Sequence, residues 1–404
     1  MKNKKIPELR YKMFKSEWTK QKISDVAIIN PTSKLPDKFE YVDLESVSGT
    51  RLLKHRTEYL ASAPSRAQRY AKKGDIFYQT VRPYQKNNYL FDRLDRNFVF
   101  STGYAQIRSH IDNKLLFFAL QRESFVADVL NNCTGTSYPA INTKDLSNIR
   151  LYIPNNREEQ QKIGEFFKQL DDRIALQQRH VEQLKQSKQG FLQKMFPKDG
   201  ESVPEVRFDG FSEKWVNQKL KDISSHRGGT AIEKYFSDEG EYKVISIGSY
   251  KLDGTYKDQN IRALSNSITD QRVVKKNELT MVLNDKTSTG EIIGRVLHVE
   301  TDNEFVINQR TEIISVNENV DSKFIYHNIN GPFRKKIKSI AQGGTQIYVN
   351  FSAVEKLDIY IPCQKEQQKI GEFFKQLDDL IAKNERELEL LQETKKGFLQ
   401  KMFV

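Results

Sequence analysis

Cysteine is nearly absent from this chain, since Cys133 and Cys363 are the only two among its 404 residues. They lie far apart and show no CxxC spacing, so the sequence predicts neither a disulfide framework nor a zinc cluster. We expect both thiols to be buried or half-buried. No stretch approaches the roughly 20 apolar residues of a membrane span, and no apolar segment follows the first residues as in a signal peptide. The sequence therefore predicts a cytoplasmic protein with no membrane partner.

Catalytic signatures are lacking as well. No Pro-Pro pair occurs, whereas an adenine amino-methyltransferase needs an Asn/Asp-Pro-Pro-Tyr/Phe loop, and the string from Asn30 to Thr32 is the nearest approach. There is no GxGxxG fingerprint, no GxxxxGK(S/T) phosphate loop, and the six histidines are scattered. Asp37, Asp43 and Glu45 could be fitted to a nuclease pattern, but scattered carboxylates are more typical of a protein surface. We expect no catalytic residue, metal or cofactor in this chain.

Positive charge is in excess, with 65 Lys and Arg against 53 Asp and Glu, a formal net charge of +12. This excess favours a polyanionic partner such as nucleic acid, although a merely soluble basic protein would show it too. The length allows two to four domains.

An internal repeat dominates the chain. The string EQQKIGEFFKQLDD occurs without change at Glu159 to Asp172 and at Glu366 to Asp379, 207 residues apart. Tyr-Ile-Pro precedes each copy, and Gly-Phe-Leu-Gln-Lys-Met-Phe follows each at the same distance. A lead segment, Ile6 to Trp18, aligns with Val203 to Trp215. The chain is a tandem duplication in which a divergent body lies between a conserved lead and a conserved exit.

The bodies are predicted to be strand-rich. Runs such as Asp75 to Val81, Phe98 to Phe100, Tyr242 to Ile247 and Glu291 to Leu297 are β-branched or aromatic and are bounded by turn residues. Helices are predicted at Asn113 to Asn131 and Lys323 to Ser339.

The exits are predicted to be long helices, each about 57 Å for 38 residues. Apolar residues recur at spacings of three and four and form one seam, with Gln177, Lys188, Asn384 and Lys395 at its polar positions. Gly164, Gly190, Gly371 and Gly397 suggest close backbone approach at both ends of a helix pair. The apolar seam residues are Ile163, Phe166, Leu170, Ile174, Val181, Leu184, Phe191, Ile370, Phe373, Leu377, Ile381, Leu388, Leu391 and Phe398.

A seam of this length predicts a partner helix, and the other copy in the same chain is the favoured partner. Packing on the helix's own body and a homodimeric coiled coil are the alternatives. Antiparallel pairing predicts an α+β fold in which two similar globular heads are separated by a coiled-coil spacer and related by an approximate twofold axis. The predicted domains are 1–154 and 201–362 for the heads, with 155–200 and 363–404 for the spacer helices.

These motifs resemble the specificity subunit of type I restriction-modification systems, and the resemblance covers the whole chain. It rests on Pro-Glu-Leu-Arg-Tyr through Trp18, a variable body, Tyr-Ile-Pro and the exit string, all repeated. It implies that Ser16 to Pro154 and Glu213 to Pro362 are target recognition domains, which read an asymmetric, bipartite site in double-stranded DNA. It also implies two docked modification (adenine methyltransferase) subunits and, through them, restriction subunits. S-adenosylmethionine, ATP and Mg would belong to those partners.

DNA contacts call for cations near phosphates and for Arg, amide or hydroxyl groups near bases. A solvated charged face is the alternative for any single residue. The candidates in the first body are Arg66, Arg69, Lys72, Arg82, Tyr84, Gln85, Lys86, Thr136, Ser137 and Tyr138. Those in the second body are Arg227, Thr230, Lys286, Thr287, Ser288, Gln309, Arg310, Thr345, Gln346 and Tyr348.

Two other functions compete with DNA recognition. One is a coiled-coil adaptor without a nucleic-acid role. The other is a self-sufficient methyltransferase or nuclease, which the missing motifs disfavour.

Overall fold

A computed structural model describes residues 5–94 and 96–404, so residues 1–4 of the first predicted domain lie outside it. The chain forms two compact units. One holds the chain up to Gln178 together with Arg386–Val404, and the other is Arg179–Glu385. Each unit therefore contains the beginning of one long helix and the end of the other.

The first unit is built from two four-stranded sheets, whose strand orders are β6-β3-β10-β7 and β2-β11-β8-β9. β3 and β10 run parallel, and β1 pairs with β12 where the body closes. The elements are β1 Thr19–Lys22, α1 Ile23–Val26, β2 Ala27–Ile29, β3 Lys38–Val42, β4 Val47–Ser48, β5 Arg51–Leu52, β6 Arg56–Tyr59, β7 Ala67–Tyr70, β8 Ile76–Gln79, β9 Tyr89–Leu90, β10 Phe98–Ser101, β11 Tyr104–Ser109, α2 Asn113–Ala119, α3 Glu123–Asn131, α4 Thr143–Asn148, β12 Arg150–Ile153 and the start of α5 Arg157–Lys194.

The second unit repeats this plan, with sheets ordered β16-β15-β21-β17 and β14-β22-β18-β20 and a parallel pair, β15 and β21. The predictions of an α+β fold and of an internal repeat are confirmed. The elements are β13 Val216–Lys219, α6 Leu220–Ile223, β14 Ser224–Gly228, β15 Tyr242–Ile245, β16 Arg262–Ala263, β17 Val273–Val274, β18 Leu279–Val282, β19 Asn284–Asp285, β20 Val296–His298, β21 Phe305–Ile307, β22 Thr311–Val316, α7 Ser322–Asn328, α8 Arg334–Ser339, β23 Gln342–Gly343, β24 Ile347–Tyr348, α9 Phe351–Val354, β25 Asp358–Ile361 and the start of α10 Gln364–Lys401.

Three local predictions need correction. The predicted helix Asn113 to Asn131 is two helices, because Arg122 is extended and begins a new helix. The predicted helix Lys323 to Ser339 is interrupted by a π-helical turn, Ile329–Phe333, in which Gly331 has non-helical torsions. Only the end of Glu291 to Leu297 is a strand. Of the two thiols, Cys133 is half-buried as expected, whereas Cys363 is exposed.

The two long helices run antiparallel within each unit. In the first unit the rings of Phe166 and Phe398 lie 5.0 Å apart edge to face, and in the second those of Phe191 and Phe373 lie 5.2 Å apart. Thirteen of the predicted apolar seam residues are buried or half-buried, and Phe191 is 37% exposed. The predicted antiparallel pairing of the two copies is confirmed.

The lysines at the polar seam positions bind aspartates of the opposite helix. Lys188 Nζ lies 2.5 Å from Asp378 Oδ1, and Lys395 makes the same ion pair with Asp171. Burial raises the pKa of both aspartates, and the facing lysine opposes that rise. Each pair links one residue of the identical string to one Lys of the other helix.

The conserved glycines do not all serve the helix pair. A Cβ on Gly164 would lie 2.5 Å from Asp112 Oδ1, at the start of α2, and Gly371 makes the same approach to the start of α7. Apart from the neighbouring residues and backbone of its own helix, no atom of the described residues comes within 4 Å of a Cβ on Gly190 or Gly397. The expectation that these glycines mark close contact between the long helices is therefore wrong. The first of each pair lets its helix pack against its own body.

An ion pair fastens each lead segment to the exit helix of the same repeat. Arg10 donates to both carboxylate oxygens of Glu159 at 2.6 and 2.8 Å, and Trp18 Nε1 donates to the same carboxylate at 3.2 Å. Arg207 and Glu366 form the same bidentate pair at 2.6 and 2.7 Å. Both glutamates are fully buried, so breaking either pair would leave an uncompensated charge inside the protein.

Each core is completed by the end of the long helix that belongs to the other repeat. Met402 and Phe403 join the core of the first unit around Phe167, and Met195 and Phe196 join that of the second around Phe374. Among the described residues, no helix combines the length and apolar character that crossing a membrane would require.

Candidate nucleic-acid interface

In the first unit, backbone hydrogen bonds bring separate candidate segments together beside the ends of β8 and β10. Thr102 N donates to Arg66 O at 2.8 Å, and Thr80 N donates to Gly103 O at 3.0 Å. We call this surface the first face: Arg66, Arg69, Arg82, Tyr84, Gln85, Lys86, Thr136, Ser137 and Tyr138. The β10–β11 turn lies at its centre and joins the segment around Arg66 to the loop that follows β8.

The first face is completed by the loop that precedes Pro139. Arg82 N donates to Pro139 O at 2.8 Å, and the Arg82 guanidinium lies 4.1 Å from the centre of the Tyr138 ring. Tyr138 is 65% exposed and Arg82 is half-buried, so the tyrosine is the member of this stacked pair that is presented to solvent. An arginine stacked on an exposed tyrosine offers a cation and a flat apolar surface, both of which suit DNA.

Three cations of the first body are less available than the sequence suggests. Lys72 follows the far end of β7, where its backbone N donates to the Asp75 carboxylate at 2.8 Å before β8 begins. It therefore lies away from the first face, which follows β8. Lys86 belongs to the face but pairs with Glu123 at 2.7 Å. Arg69 is half-buried, and burial lowers its pKa.

In the second unit the equivalent loops form a second face: Thr230, Lys286, Thr287, Ser288, Gln309, Arg310, Thr345, Gln346 and Tyr348. Leu283 N donates to Arg310 O at 2.9 Å, and Val349 N donates to Leu283 O at 2.9 Å. Thr230 bridges to Asn308 in the turn between β21 and β22. This turn corresponds to the β10–β11 turn of the first unit, so both faces occupy the same place in the repeated plan.

Arg227 is not part of the second face. Its guanidinium donates to the Glu278 carboxylate at 2.9 Å and to Val273 O at 3.2 Å. Glu278 precedes β18, whereas the second face follows that strand. The charge of Arg227 is therefore paired with a carboxylate of its own unit.

Sequence reasoning missed Glu233, whose carboxylate accepts from Asn308 Nδ2 at 3.0 Å and from Gln309 Nε2 at 2.8 Å. Hydrogen bonds from its own backbone, Asn308 and Gln309 lower the pKa of Glu233, so it holds both amides while ionised. No local signal in the sequence announces this contact, because 75 residues separate Glu233 from Asn308.

Backbone strain is concentrated on the two faces. Seven described residues other than glycine have positive φ, and four of them are Asn, which tolerates this conformation. The other three are Arg82 at 54°, Lys86 at 55° and Arg310 at 66°, and all three lie on the faces. Strained torsions that persist at such positions are typical of binding sites.

This chain is similar to known proteins in sequence and in fold. A curated relative, the type I restriction enzyme MjaVIII specificity subunit of Methanocaldococcus jannaschii, is 25% identical over 302 residues, which is 72% of this chain and 69% of the relative. The S subunit of a type I restriction-modification system from M. genitalium has the same fold, with a TM-score of 0.64, 16% identity and 99% of both chains covered.

A further solved chain comes from a structural study of complex assembly and conformational transition of the type I R-M system. It covers 95% of this chain and 97% of its own length, with a TM-score of 0.56 and 18% identity. The family model described as the type I restriction modification DNA specificity domain matches at residues 15–186 and again at 212–393, so the two matches include both bodies and most of both long helices. The chain belongs to the type I restriction-modification DNA specificity family and carries two copies of its domain.

Proposed function

We propose that this chain is the DNA-reading subunit of a type I restriction-modification complex and that each body reads one half of a bipartite, asymmetric site. One observation carries the proposal: two copies of a DNA specificity domain present equivalent faces whose residues differ. Where the first face has the turn Ser101 to Gly103, the second has Asn308 to Arg310. A common frame with different side chains is what two different half-sites require.

The proposed contacts follow from exposure and charge. On the first face we assign Arg66 to phosphate and the Arg82–Tyr138 pair to a groove edge. Arg66 and Tyr138 are exposed, and neither arginine has a carboxylate partner in any described contact. On the second face Lys286 and Arg310 take the corresponding roles, both being exposed. Ser16–Pro154 and Glu213–Pro362 are the proposed recognition domains, and the paired helices set the length of DNA left unread.

The chain itself performs no chemistry, because its family supplies recognition to the complex. We propose that two modification subunits dock on it alike and carry S-adenosylmethionine, and that restriction subunits with ATP and Mg join through them. The exposed side chains of the identical string support equivalent docking. Gln161 and Gln169 in one copy, and Gln368 and Gln376 in the other, face solvent although neither helix needs them for its own packing.

Selection from a duplex DNA pool with a randomised window of about 20 base pairs tests this function. The full chain, alone or with its modification subunits, should enrich two different short motifs at a fixed distance. Binding should weaken as salt rises, with a log–log slope of about −0.9 for each phosphate contacted. Enrichment of a single uninterrupted palindrome would refute two-body reading. No enrichment would favour the adaptor, and methylation or cleavage by the chain alone would establish the enzyme.

A further inference from the structure

The loop after β18 in the second unit is held by charged groups that are not members of the second face. It runs from Asp285 to Ile293 and carries three exposed members of the second face, Lys286, Thr287 and Ser288. Beyond β19, no strand or helix includes any residue of this loop. Its conformation therefore depends on side chains that satisfy its backbone groups.

Asp285 organises the loop from within. Its side chain is buried, with 3% of the residue exposed, and its carboxylate accepts hydrogen bonds from Ile292 N at 2.7 Å and Thr287 N at 2.8 Å. The Thr287 hydroxyl donates to it as well, at 2.7 Å. One ionised group thus ties the start of the loop to its end. Hydrogen bonds to an ionised acceptor are about twice as strong as neutral ones.

Arg334, the first residue of α8, holds the same loop from the other side. Its Nε donates to Ile293 O at 3.0 Å, and its terminal nitrogen donates to Gly290 O at 3.1 Å and to Glu291 O. Gly290 has a φ of +63°, and a Cβ there would lie 2.5 Å from Ile347, so no larger residue fits without displacement. Three carbonyls within four residues of the loop are therefore fixed by one guanidinium.

Both charges persist near neutral pH. Burial, with a smaller contribution from Arg295, lowers the pKa of Arg334 to about 10, and Asp285 opposes that shift. The backbone and Thr287 hydrogen bonds hold the pKa of Asp285 below its usual value although burial acts against them. The carboxylate and the guanidinium therefore act on the loop in their ionised forms.

We propose that Asp285 and Arg334 are positioning residues that preorganise this loop for reading the second half-site, without themselves touching DNA. The inference rests on the proposed function and deepens it. A loop that is already rigid before binding loses less conformational freedom on the DNA and keeps its polar groups aimed at one base sequence. Specificity at the second half-site then depends on two residues outside the interface.

In the first unit, neutral groups hold the backbone of the corresponding loop, and the Lys86–Glu123 ion pair joins that loop only through side chains. In the loop after β8, Gln79 Nε2 donates to Val81 O at 2.7 Å and to Gln85 Oε1 at 2.8 Å, and Asn88 Oδ1 accepts from Gln79 N at 2.7 Å. Gln79 is buried, with 2% exposed. These contacts include no counterpart of the charged groups of Asp285 and Arg334. The first half-site is therefore an internal control within the same molecule.

Two substitutions each remove one of these charged groups with little change in the shape of the side chain. Asp285→Asn places an amide among backbone N–H donors, and Arg334→Met keeps the aliphatic stem but removes all donors. A correct base pair is normally preferred over a mismatch by roughly 5- to 150-fold. We expect each variant to lower that preference by about tenfold at the second half-site and by less than twofold at the first. Arg334→Lys, which restores one donor, should recover part of the loss.

The full-length variants are tested by selection from the same randomised duplex pool, after thermal unfolding shows that they fold. Lys286→Ala identifies the half-site that belongs to the second face. Loss of sequence preference there, with the first half-site kept, supports the inference. Equal loss at both half-sites, or no loss at either, overturns it. If one variant does not fold, Arg334→Lys decides by the same criterion. Failure of the unsubstituted chain to select any bipartite site would count against the proposed function instead.

Discussion

Replacing Arg310 by glycine should separate the stability of the fold from its affinity for DNA. Arg310 has a φ of +66°, and its carbonyl accepts from Leu283 N at 2.9 Å, so the backbone is held in the left-handed region. For a residue with a Cβ this conformation costs about 1–2 kcal/mol, whereas glycine adopts it freely but loses about 0.5–1 kcal/mol more entropy on folding. Arg310→Gly should therefore leave the free energy of unfolding unchanged or raise it by up to about 1 kcal/mol.

Arg310→Ala is the matched variant, because it removes the same side chain but keeps the strain. Both variants should lose one cation from the second face, which lowers the salt slope of binding by about 1. Arg310→Gly should be the more stable of the two by about 1 kcal/mol in urea unfolding. Asn303→Gly, at another position of positive φ, should leave DNA binding unchanged.

The two variants test the backbone strain at Arg310 and its contact with DNA separately. A glycine variant less stable than the alanine variant would refute the strain argument. A glycine variant that binds DNA with the affinity and salt slope of the unsubstituted chain would refute the placement of Arg310 at the interface.

Three further predictions concern the helices. Gly164→Ala should lower the free energy of unfolding by about 1–3 kcal/mol, because the added Cβ would overlap Asp112. Gly190→Ala, where the Cβ meets open space, should raise it by up to about 1 kcal/mol. Equal effects of the two variants in thermal unfolding would contradict this. Burial raises the pKa of Asp378, and Lys188 opposes that rise. The carboxyl therefore stabilises the folded state most below pH 3.8, and this stabilisation is lost as the pH rises through the raised pKa. Lys188→Met raises the pKa of Asp378 further, and in denaturant titrations it should lower the free energy of unfolding by about 1–2 kcal/mol at pH 7 but by less near pH 4. A decrease that is the same at both pH values would exclude this linkage. Insertion of four residues near Gln177, about 6 Å of helix, should change the selected distance between half-sites or abolish binding. A change in half-site sequence would contradict the assignment of reading to the bodies and of spacing to the helices.

The large-scale plan could be predicted because repetition and periodicity are local properties of the sequence. The two identical strings and the divergent bodies predict the repeat, and the seam from Ile163 to Phe191 predicts the antiparallel helix pair. What the identical string does was only partly foreseen. Phe167 and Phe374 lie beside the predicted seam residues Phe166 and Phe373, yet they are fully buried in the cores of the bodies.

Part of the string is therefore preserved because it anchors each helix to its body. Glu159 binds the arginine of the lead segment, and Gly164 lets the helix approach α2. Helical periodicity could not reveal these contacts, because they depend on elements about 50 or more residues away that pack on a second side of the helix. When a helix packs on two sides, the apolar periodicity of its sequence shows one of these sides but not the other.

The interface candidates were predicted by residue type, and residue type does not show which cations are already paired. Arg227 and Arg310 look equivalent in the sequence, but one binds Glu278 inside the unit and the other is exposed on the second face. The residues that shape a loop escape prediction for a related reason. Asp285 and Arg334 are 49 positions apart and hold the same loop only because α8 packs beside it.

Sequencing of methylated bases in cells with and without this chain, with its modification subunits present in both, tests recognition by two bodies. We expect methylated adenine in one asymmetric motif, which consists of two defined half-sites separated by a fixed number of unspecified bases and is found only when the chain is present. Arg310→Ala should then relax one half of that motif and leave the other unchanged. A methylation pattern that does not depend on the chain, or a single uninterrupted palindrome, would contradict recognition by two separate bodies.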